Sequence, residues 1–279
     1  MDRDHLEQFH QDGYAVVRGV FDACEMAELA AAFDRVYLEG LTHGRSFRHR
    51  NVYFHVARDP RLGTMVRMVQ WPAYFDPILE RFRRDPRLAA ILAPLIGPEL
   101  KQIINQMHWK PPGGEMVEFG FHQDARFRKP RHAYRDLAAS YVQTGIAVDP
   151  HRKANGAMKL YPGSHRLGDL PFEAKGRIMH SAMSADDLTT LGLDPARLVD
   201  LELDPGDVAL WGVHTVHGSG PNISDRDRRF YINGYVTAAN CARGEWAFRD
   251  GRPCPLGRQQ ALVHYEDLHS RPEPHYVED

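Results

Sequence analysis

The feature that most restricts the fold of this chain is the tripeptide His122-Gln123-Asp124, together with His217, which lies 95 residues later. On a β-strand, residues i and i+2 project from the same face, so His122 and Asp124 can bind one ion together. Two imidazoles and one carboxylate form the facial triad that binds Fe(II) in non-haem oxygenases and leaves coordination positions open. We predict a metal site at these three residues. The fold must then bring His217 beside a strand that ends near residue 124.

Arg228 follows His217 by eleven residues. A guanidinium group binds a carboxylate through two parallel, charge-assisted hydrogen bonds, and it stays charged at any physiological pH. We therefore predict that Arg228 binds a dicarboxylate co-substrate beside the metal. Arg229 is adjacent in sequence, and spacing alone does not decide between the two arginines.

Other histidines compete for the role of metal ligand. His10-Gln11-Asp12 has the same letters as the motif at 122–124. Its pattern predicts a helix end, where residues i and i+2 project about 200° apart and cannot share one ion. His214 lies three residues before His217, so on one strand the two face opposite ways and only one of them can be the ligand.

The pattern along the chain predicts helices first and strands afterwards. Helical patterns at 4–12, 23–38 and 70–96 alternate with a short strand at Tyr14 to Val17 and an irregular basic stretch at 40–60. From Glu99 the chain has about eight short strands separated by turns such as Pro111-Pro112-Gly113. This order predicts a mainly β fold with flanking helices, a jelly roll of two antiparallel sheets.

We interpret the 279 residues as a single domain, because no repeat, low-complexity tract or linker divides them. Its expected parts are a helical N-terminal part, a jelly-roll core with an inserted flap, and a C-terminal tail that wraps the surface: about 1–97, 98–237, 166–198 within the core, and 238–279.

Composition excludes several classes of protein. The formal net charge of −2 gives no basic field for nucleic-acid binding. Three scattered cysteines, Cys24, Cys241 and Cys254, are typical of reduced thiols and not of a disulfide framework. The charged N-terminus lacks the apolar stretch of a signal peptide, and no apolar run is long enough to span a membrane. We expect a cytoplasmic protein that acts on a small molecule.

Several segments in order resemble the phytanoyl-CoA dioxygenase family of Fe(II)- and 2-oxoglutarate-dependent oxygenases. The most specific is His217-Gly218-Ser219-Gly220-Pro221-Asn222, followed by Arg228-Arg229. The others cover much of residues 9–236 and include the motif at 122–124, Asn155-Gly156-Ala157, Pro162-Gly163-Ser164-His165 and Pro205-Gly206-Asp207-Val208.

The resemblance implies a double-stranded β-helix, the cupin-like jelly roll, that holds Fe(II) on His122, Asp124 and His217. It favours His217 over His214 and Arg228 over Arg229. It implies that Arg228 and Ser219 bind 2-oxoglutarate, that O₂ is the second co-substrate and that ascorbate is a candidate reductant. Further 2-oxoglutarate contacts fall on Gln106 and on Arg67. At Gly145 many members carry Trp, so that contact is lost here or moves to Thr144 or Gln143.

The implied reaction is oxidation of a C–H bond with release of succinate and CO₂. Related halogenases replace the carboxylate ligand with a small residue, so Asp124 favours hydroxylation. Arg126 and Arg128, with the basic residues at 45–50, are candidates for binding an anionic substrate; a solvated surface is the alternative. Two other classes stay open: a non-catalytic jelly-roll binding protein, and a jelly-roll enzyme that uses another metal such as zinc or manganese.

Overall fold

The helices begin and end where the sequence supplies capping groups. The structure is a computed structural model that describes residues 1–114, 118–170, 185–258, 260–261 and 274–277. Asp22 caps the second helix in a capping box with Glu25, and Gly13 ends the first with a φ of 80°. The helices are α1 (Arg3–Asp12), α2 (Ala23–Thr42), α3 (Pro77–Arg83), α4 (Pro86–Ile96), α5 (Leu137–Ser140) and α6 (Ala185–Thr190).

Eleven of the described strands form one antiparallel sheet. Along its main path the order is β1-β10-β7-β12-β5-β4-β3-β2-β15, with β13 paired to β5 and β14 paired to β13. The strands are β1 (Tyr14–Val17), β2 (Phe47–His49), β3 (Val52–Asp59), β4 (Gly63–Gln70), β5 (Leu100–Lys110), β7 (Tyr141–Ala147), β10 (Val208–Gly212), β12 (Arg228–Thr237), β13 (Glu245–Arg249), β14 (Arg252–Pro253) and β15 (His275–Tyr276).

A smaller sheet of four described strands covers one face of the large sheet. Its order is β6-β11-β8-β9, and its strands are β6 (Phe119–His122), β8 (Met158–Leu160), β9 (Val199–Asp200) and β11 (His217–Ser219). A cavity lies between the two sheets and is lined by residues of both. The mainly β class and the jelly-roll architecture are confirmed.

Strand β12 shows how the large sheet serves two cores. Tyr231 and Tyr235 pack with Leu29 and Phe33 of α2, on the helical side. Phe230, Ile232 and Val236 pack with residues such as Met158 and Leu160, on the side of the small sheet. Because alternate residues of a strand face opposite sides, one strand supports the helical layer and the cavity wall together.

Four local predictions were wrong. The stretch at 40–60 is not irregular, because residues 47–59 form β2 and β3. The N-terminal part is therefore not only helical. Residues 137–140, where the alanine-rich pattern of 137–148 predicts a strand, form a helical turn before β7. The motif strand, predicted over 119–125, ends at His122. The tail contributes β13, β14 and β15 instead of only wrapping the surface. Residues 171–184 of the expected flap at 166–198 lie outside the described residues.

Among the helices that the structure describes, none combines the length and the apolar character that a membrane span needs.

The capping box at α2 gives a test of the helical layer. Asp22→Ala removes the acceptor that receives the Glu25 amide at 2.9 Å, so we expect the free energy of unfolding to fall by about 1 kcal/mol. Asp22→Ser keeps a capping oxygen and serves as the control. Urea unfolding followed by circular dichroism measures both. Equal losses in the two variants would contradict a capping role.

Candidate functional site

The two sheets bring the three predicted metal ligands together. His122 of β6 and His217 of β11 are cross-strand partners, with ring centroids 4.3 Å apart. Asp124 follows β6 at the start of a 3₁₀ turn, and its Oδ1 lies 3.9 Å from His122 Nε2. Gln123 keeps an extended backbone between the two ligands, so they still share one face. One ligand atom from each of the three residues lies within 4.8 Å of the others.

Backbone carbonyls fix the orientation of both imidazoles. His122 Nδ1 contacts the Gly120 carbonyl at 2.7 Å, and His217 Nδ1 contacts the Thr215 carbonyl at 2.9 Å. A carbonyl only accepts, so each Nδ1 carries a proton and Nε2 is the nitrogen left for a metal. Burial, followed by the neighbouring His217, lowers the pKa of His122 to about 4. The imidazole is therefore neutral at physiological pH, as a metal ligand requires.

Asp124 is held by two residues that sequence reasoning did not connect with it. Trp211 of β10 donates its indole N–H to Asp124 Oδ2 at 3.1 Å, which leaves Oδ1 on the side of His122. Arg128 Nη2 lies 3.9 Å from Oδ1. Trp211 lies 87 residues from Asp124 in sequence, so no local pattern signals this contact.

Gln123 has a structural role between the ligands. Its amide nitrogen donates to the carbonyls of Gly168 at 2.8 Å and His214 at 2.6 Å, and its oxygen accepts from the Leu170 amide at 2.9 Å. Since Gln123 is fully buried, these bonds satisfy its side chain and anchor the segment at 168–170 to the metal-binding turn.

One end of the cavity is strongly cationic. Arg228 of β12 and Lys110 of β5 are cross-strand partners, and both side chains are buried. Lys110 Nζ donates to Ser219 Oγ at 2.7 Å and to the Gly220 carbonyl. The Arg228 Nε has no acceptor among the described residues, and no carboxylate of the described chain forms a salt bridge with Arg228 or Lys110. We call Arg228, Lys110 and Ser219 the cationic end.

Burial alters the acid–base properties of these cations. It lowers the pKa of Arg228 to about 10, and burial together with the charges of Arg228 and Arg67 lowers the pKa of Lys110 well below its ordinary value. Arg67, which is also buried, stacks over Phe119 with its Cζ 5.0 Å from the ring centroid, and donates to the Glu118 carbonyl. Arg67 does not itself line the cavity, whereas Phe119 does.

The ring of Phe230 occupies the space that a side chain at position 145 would need. A Cβ added to Gly145 would lie 2.0 Å from Cζ of Phe230, which lines the cavity. Thr144 faces away and donates to the Asn233 carbonyl at 3.2 Å, whereas Gln143 lines the cavity. Of the two alternatives to a contact at Gly145, Gln143 is therefore the one beside the site.

The remaining candidates divide between the cavity and its surroundings. Gln106, Ser219 and Arg128 line the cavity; Arg126 does not and lies over the ring of Phe127. Arg229 forms a two-bond ion pair with Asp149, at 2.8 and 2.9 Å. The group of described residues that could hold a metal ion contains neither His10 nor His214.

Sequence reasoning missed Lys110, Gln70, His108 and Trp211. The one available signal was Lys110 itself, a lysine at the end of an alternating strand directly before Pro111-Pro112. A charged residue in that position of a buried strand requires a partner or a ligand.

Comparison with known proteins gives a family match over most of the chain. The sequence model described as phytanoyl-CoA dioxygenase (PhyH) matches residues 9–230. The protein named "Probable alpha-ketoglutarate-dependent hypophosphite dioxygenase" of Stutzerimonas stutzeri is 28% identical over 239 residues, 85% of this chain and 77% of that protein. The ectoine dioxygenase of Bordetella parapertussis is 24% identical over 275 residues, 96% of this chain and 85% of that protein.

Solved structures share the fold. EctD from S. alaskensis with 2-oxoglutarate and 5-hydroxyectoine superposes with a TM-score of 0.67 at 20% identity, covering 94% of this chain and 88% of that one. The non-heme alpha ketoglutarate dependent epimerase SnoN from nogalamycin biosynthesis superposes with a TM-score of 0.63 at 23% identity, covering 94% of this chain and 98% of that one.

The contact between Gly145 and Phe230 gives a test of the cavity wall. We expect Gly145→Ala to lower the free energy of unfolding by about 1–3 kcal/mol, because its Cβ overlaps the Phe230 ring. Combined with Phe230→Leu, the loss should be smaller than the sum of the two single losses by at least about 1 kcal/mol. Gly220→Ala, whose Cβ would have its nearest neighbour at 3.9 Å, is the control. Additive losses in a urea-unfolding cycle would contradict the overlap.

Proposed function

The chain belongs to the phytanoyl-CoA dioxygenase family and is an iron- and 2-oxoglutarate-dependent dioxygenase, and we propose that it hydroxylates a C–H bond of a small molecule at an iron held by His122, Asp124 and His217. The observation that carries the assignment is the convergence of this triad with a buried arginine that has no acceptor in the described part of the chain.

The residues at the site fit Fe(II). The two imidazoles each keep Nε2 for the metal because Nδ1 is bound to a carbonyl. Asp124 keeps Oδ1 because Trp211 occupies Oδ2. Two neutral imidazoles and one carboxylate suit iron, and such a triad leaves positions for 2-oxoglutarate and O₂. When bound, the iron activates O₂ at the expense of 2-oxoglutarate, with succinate and CO₂ as products, and supplies the oxidant for the substrate C–H bond.

The cationic end fits the distal carboxylate of 2-oxoglutarate. Arg228 supplies forked donors, and Ser219 supplies a hydroxyl. Lys110 donates to the Ser219 oxygen, so the hydroxyl hydrogen of Ser219 is left to donate to a ligand. Lys110 thus acts as a positioning residue for Ser219 and adds positive charge. In water-poor surroundings these donors favour a carboxylate more strongly than they would at the surface.

The proposed outcome is hydroxylation because Asp124 supplies a carboxylate at the position where related halogenases have a small residue. Trp211 and Arg128 hold this carboxylate in place, which favours its remaining on the metal through the reaction. Arg128 and Arg126 stay predictions as substrate contacts, and Arg67 and Gln106 stay predictions as 2-oxoglutarate contacts. A cytoplasmic location and ascorbate as reductant also stay predictions.

Anaerobic titration tests the assignment. Fe(II) and 2-oxoglutarate together should produce a weak visible charge-transfer band that neither produces alone. His217→Ala should prevent it because one of the two imidazole ligands is lost. A non-catalytic binding protein, or an enzyme selective for zinc or manganese, would give no such band, and its absence would refute the proposal.

Arg228 gives a second test. Arg228→Gln removes the forked donors, and we expect the KM for 2-oxoglutarate to rise roughly 30-fold, equivalent to about 2 kcal/mol of lost binding. Arg229→Gln is the control: it breaks the ion pair with Asp149 and should lower the Tm while leaving this KM unchanged. Succinate release at varied 2-oxoglutarate measures both. A rise in this KM for Arg229→Gln, with no change for Arg228→Gln, would show that Arg229 binds the co-substrate.

A further inference from the structure

The cavity has a second polar end, remote from Arg228. On β12 the cross-strand partners run in order from Arg228, opposite Lys110, to Ile232, opposite Gln106, and then to Gly234, opposite Gln143. Gln70 of β4 is paired with Gln106. At about 3.3 Å per residue, Ile232 lies roughly 13 Å and Gly234 roughly 20 Å along the strand from Arg228. We call Gln70, Gln143 and Arg128 the amide end.

2-Oxoglutarate cannot occupy both ends. Its two carboxyl carbons are separated by four carbon–carbon bonds and lie at most about 5 Å apart. If the distal carboxylate is bound at Arg228, the co-substrate does not reach Gln143. The donors of Gln143 and of Arg128, which lie together beside Tyr141, are therefore available to a different ligand in the same cavity.

Gln70 presents only hydrogen-bond donors to that ligand. Arg48 Nη2 lies 3.2 Å from Gln70 Oε1. A guanidinium has no acceptor, so the amide atom facing Arg48 is the oxygen, and the amide nitrogen is left for the cavity that Gln70 lines. That nitrogen has no acceptor among the described residues.

Two hydrogen bonds in series orient the Gln143 amide in the same way, with its nitrogen toward the cavity. Arg128 Nη2 donates to the Tyr141 hydroxyl at 2.8 Å, so the hydroxyl uses its own hydrogen to donate to Gln143 Oε1. The absence of a side chain at Gly234 makes room for this arrangement, since an added Cβ there would lie 3.0 Å from Gln143 Oε1. The Gln143 amide nitrogen is then free to donate into the cavity.

The amide end therefore lacks acceptors. Within the described part of the chain, Asp124 is the sole acidic side chain that lines the cavity; its Oδ2 accepts from Trp211, and its Oδ1 lies 3.9 Å from both His122 Nε2 and Arg128 Nη2. Arg128 is buried, lines the cavity and has an Nε without an acceptor in the described chain. A ligand that brought its own donors would leave these groups unpaired, which costs about 1–3 kcal/mol for each.

We propose that the substrate carries an oxyanion, a carboxylate or a phosphonate, and that the amide nitrogens of Gln70 and Gln143 and the guanidinium of Arg128 bind its oxygens. The inference rests on the proposed function, which gives the cationic end to 2-oxoglutarate. Because Arg128 also lies 3.9 Å from Asp124, an oxyanion bound there holds the neighbouring carbons of the substrate beside the metal.

Three probes that share one ring test this proposal. The anaerobic protein with Fe(II) and saturating 2-oxoglutarate is titrated by calorimetry at pH 7.5 with benzoate, phenylphosphonate and benzamide. We expect at least one of the two anions to bind at least tenfold more tightly than the neutral amide, and the tighter anion identifies the favoured oxyanion. Equal affinities for all three, or no binding of either anion, would overturn the proposal.

Isosteric variants assign the effect to the amide end. Gln143→Glu and Gln70→Glu keep an oxygen for Tyr141 and Arg48 but replace the donor with an anionic acceptor. Each should weaken the tighter anion at least tenfold and reduce its advantage over benzamide. Gln11→Glu adds the same charge on the exposed side of α1 and should have no effect. Unchanged anion affinity in both cavity variants would overturn the proposal.

The charge-transfer band distinguishes a failure of the proposed function from a failure of the substrate proposal. It is recorded on the same samples before each titration. A missing band in the unsubstituted protein refutes the proposed function itself. A normal band with no preference for anions refutes only the assignment of the amide end.

Discussion

The burial of positive charge without an acidic partner is the constraint on which this site depends. Arg228 and Lys110 lie side by side in the sheet, and each ion removed from water costs several kcal/mol unless it is compensated. Within the described chain Lys110 is compensated by the neutral oxygens of Ser219 and Gly220, whereas Arg228 Nε has no acceptor. A bound dicarboxylate would supply the missing negative charge. The buried cations without an acidic partner therefore favour binding of the co-substrate.

Strand β12 determines where the groups that line the cavity lie relative to one another. Its outward residues Tyr231 and Tyr235 fix it to the helices, with hydroxyls bonded to the carbonyls of Leu79 and Arg83. Its inward residues carry the cationic end, the Phe230 wall and the space at Gly234 in that order. Since β12 is hydrogen-bonded on both edges, to β5 and β7, its register determines how far the co-substrate end lies from the amide end.

Much of the fold followed from patterns that act locally. Capping groups and apolar spacing placed α1, α2 and β1, and turn residues separated the strands of the core. The prediction of an irregular stretch at 40–60 was wrong because the strands there do not alternate apolar and polar residues. Arg48 is buried in β2 as the partner of Gln70. In the sequence alone, a buried arginine cannot be distinguished from a solvated one. The strand prediction at 137–140 was wrong because the alanines there fit a helix as well as a strand.

The sequence by itself determined the chemistry of the site: two histidines, an aspartate and an arginine in an order that one family shares, with the ligand pair at 122 and 124 set by the two-residue period of an extended backbone. Only the tertiary structure decided what supports them. Trp211 reaches Asp124 across 87 residues, Phe230 fills the space above Gly145, and Arg48 and Tyr141 turn two glutamines into donors. Such contacts depend on sheet register and on which side chain enters a shared volume. Neither has a signature in local sequence, because both are fixed by the packing of distant segments.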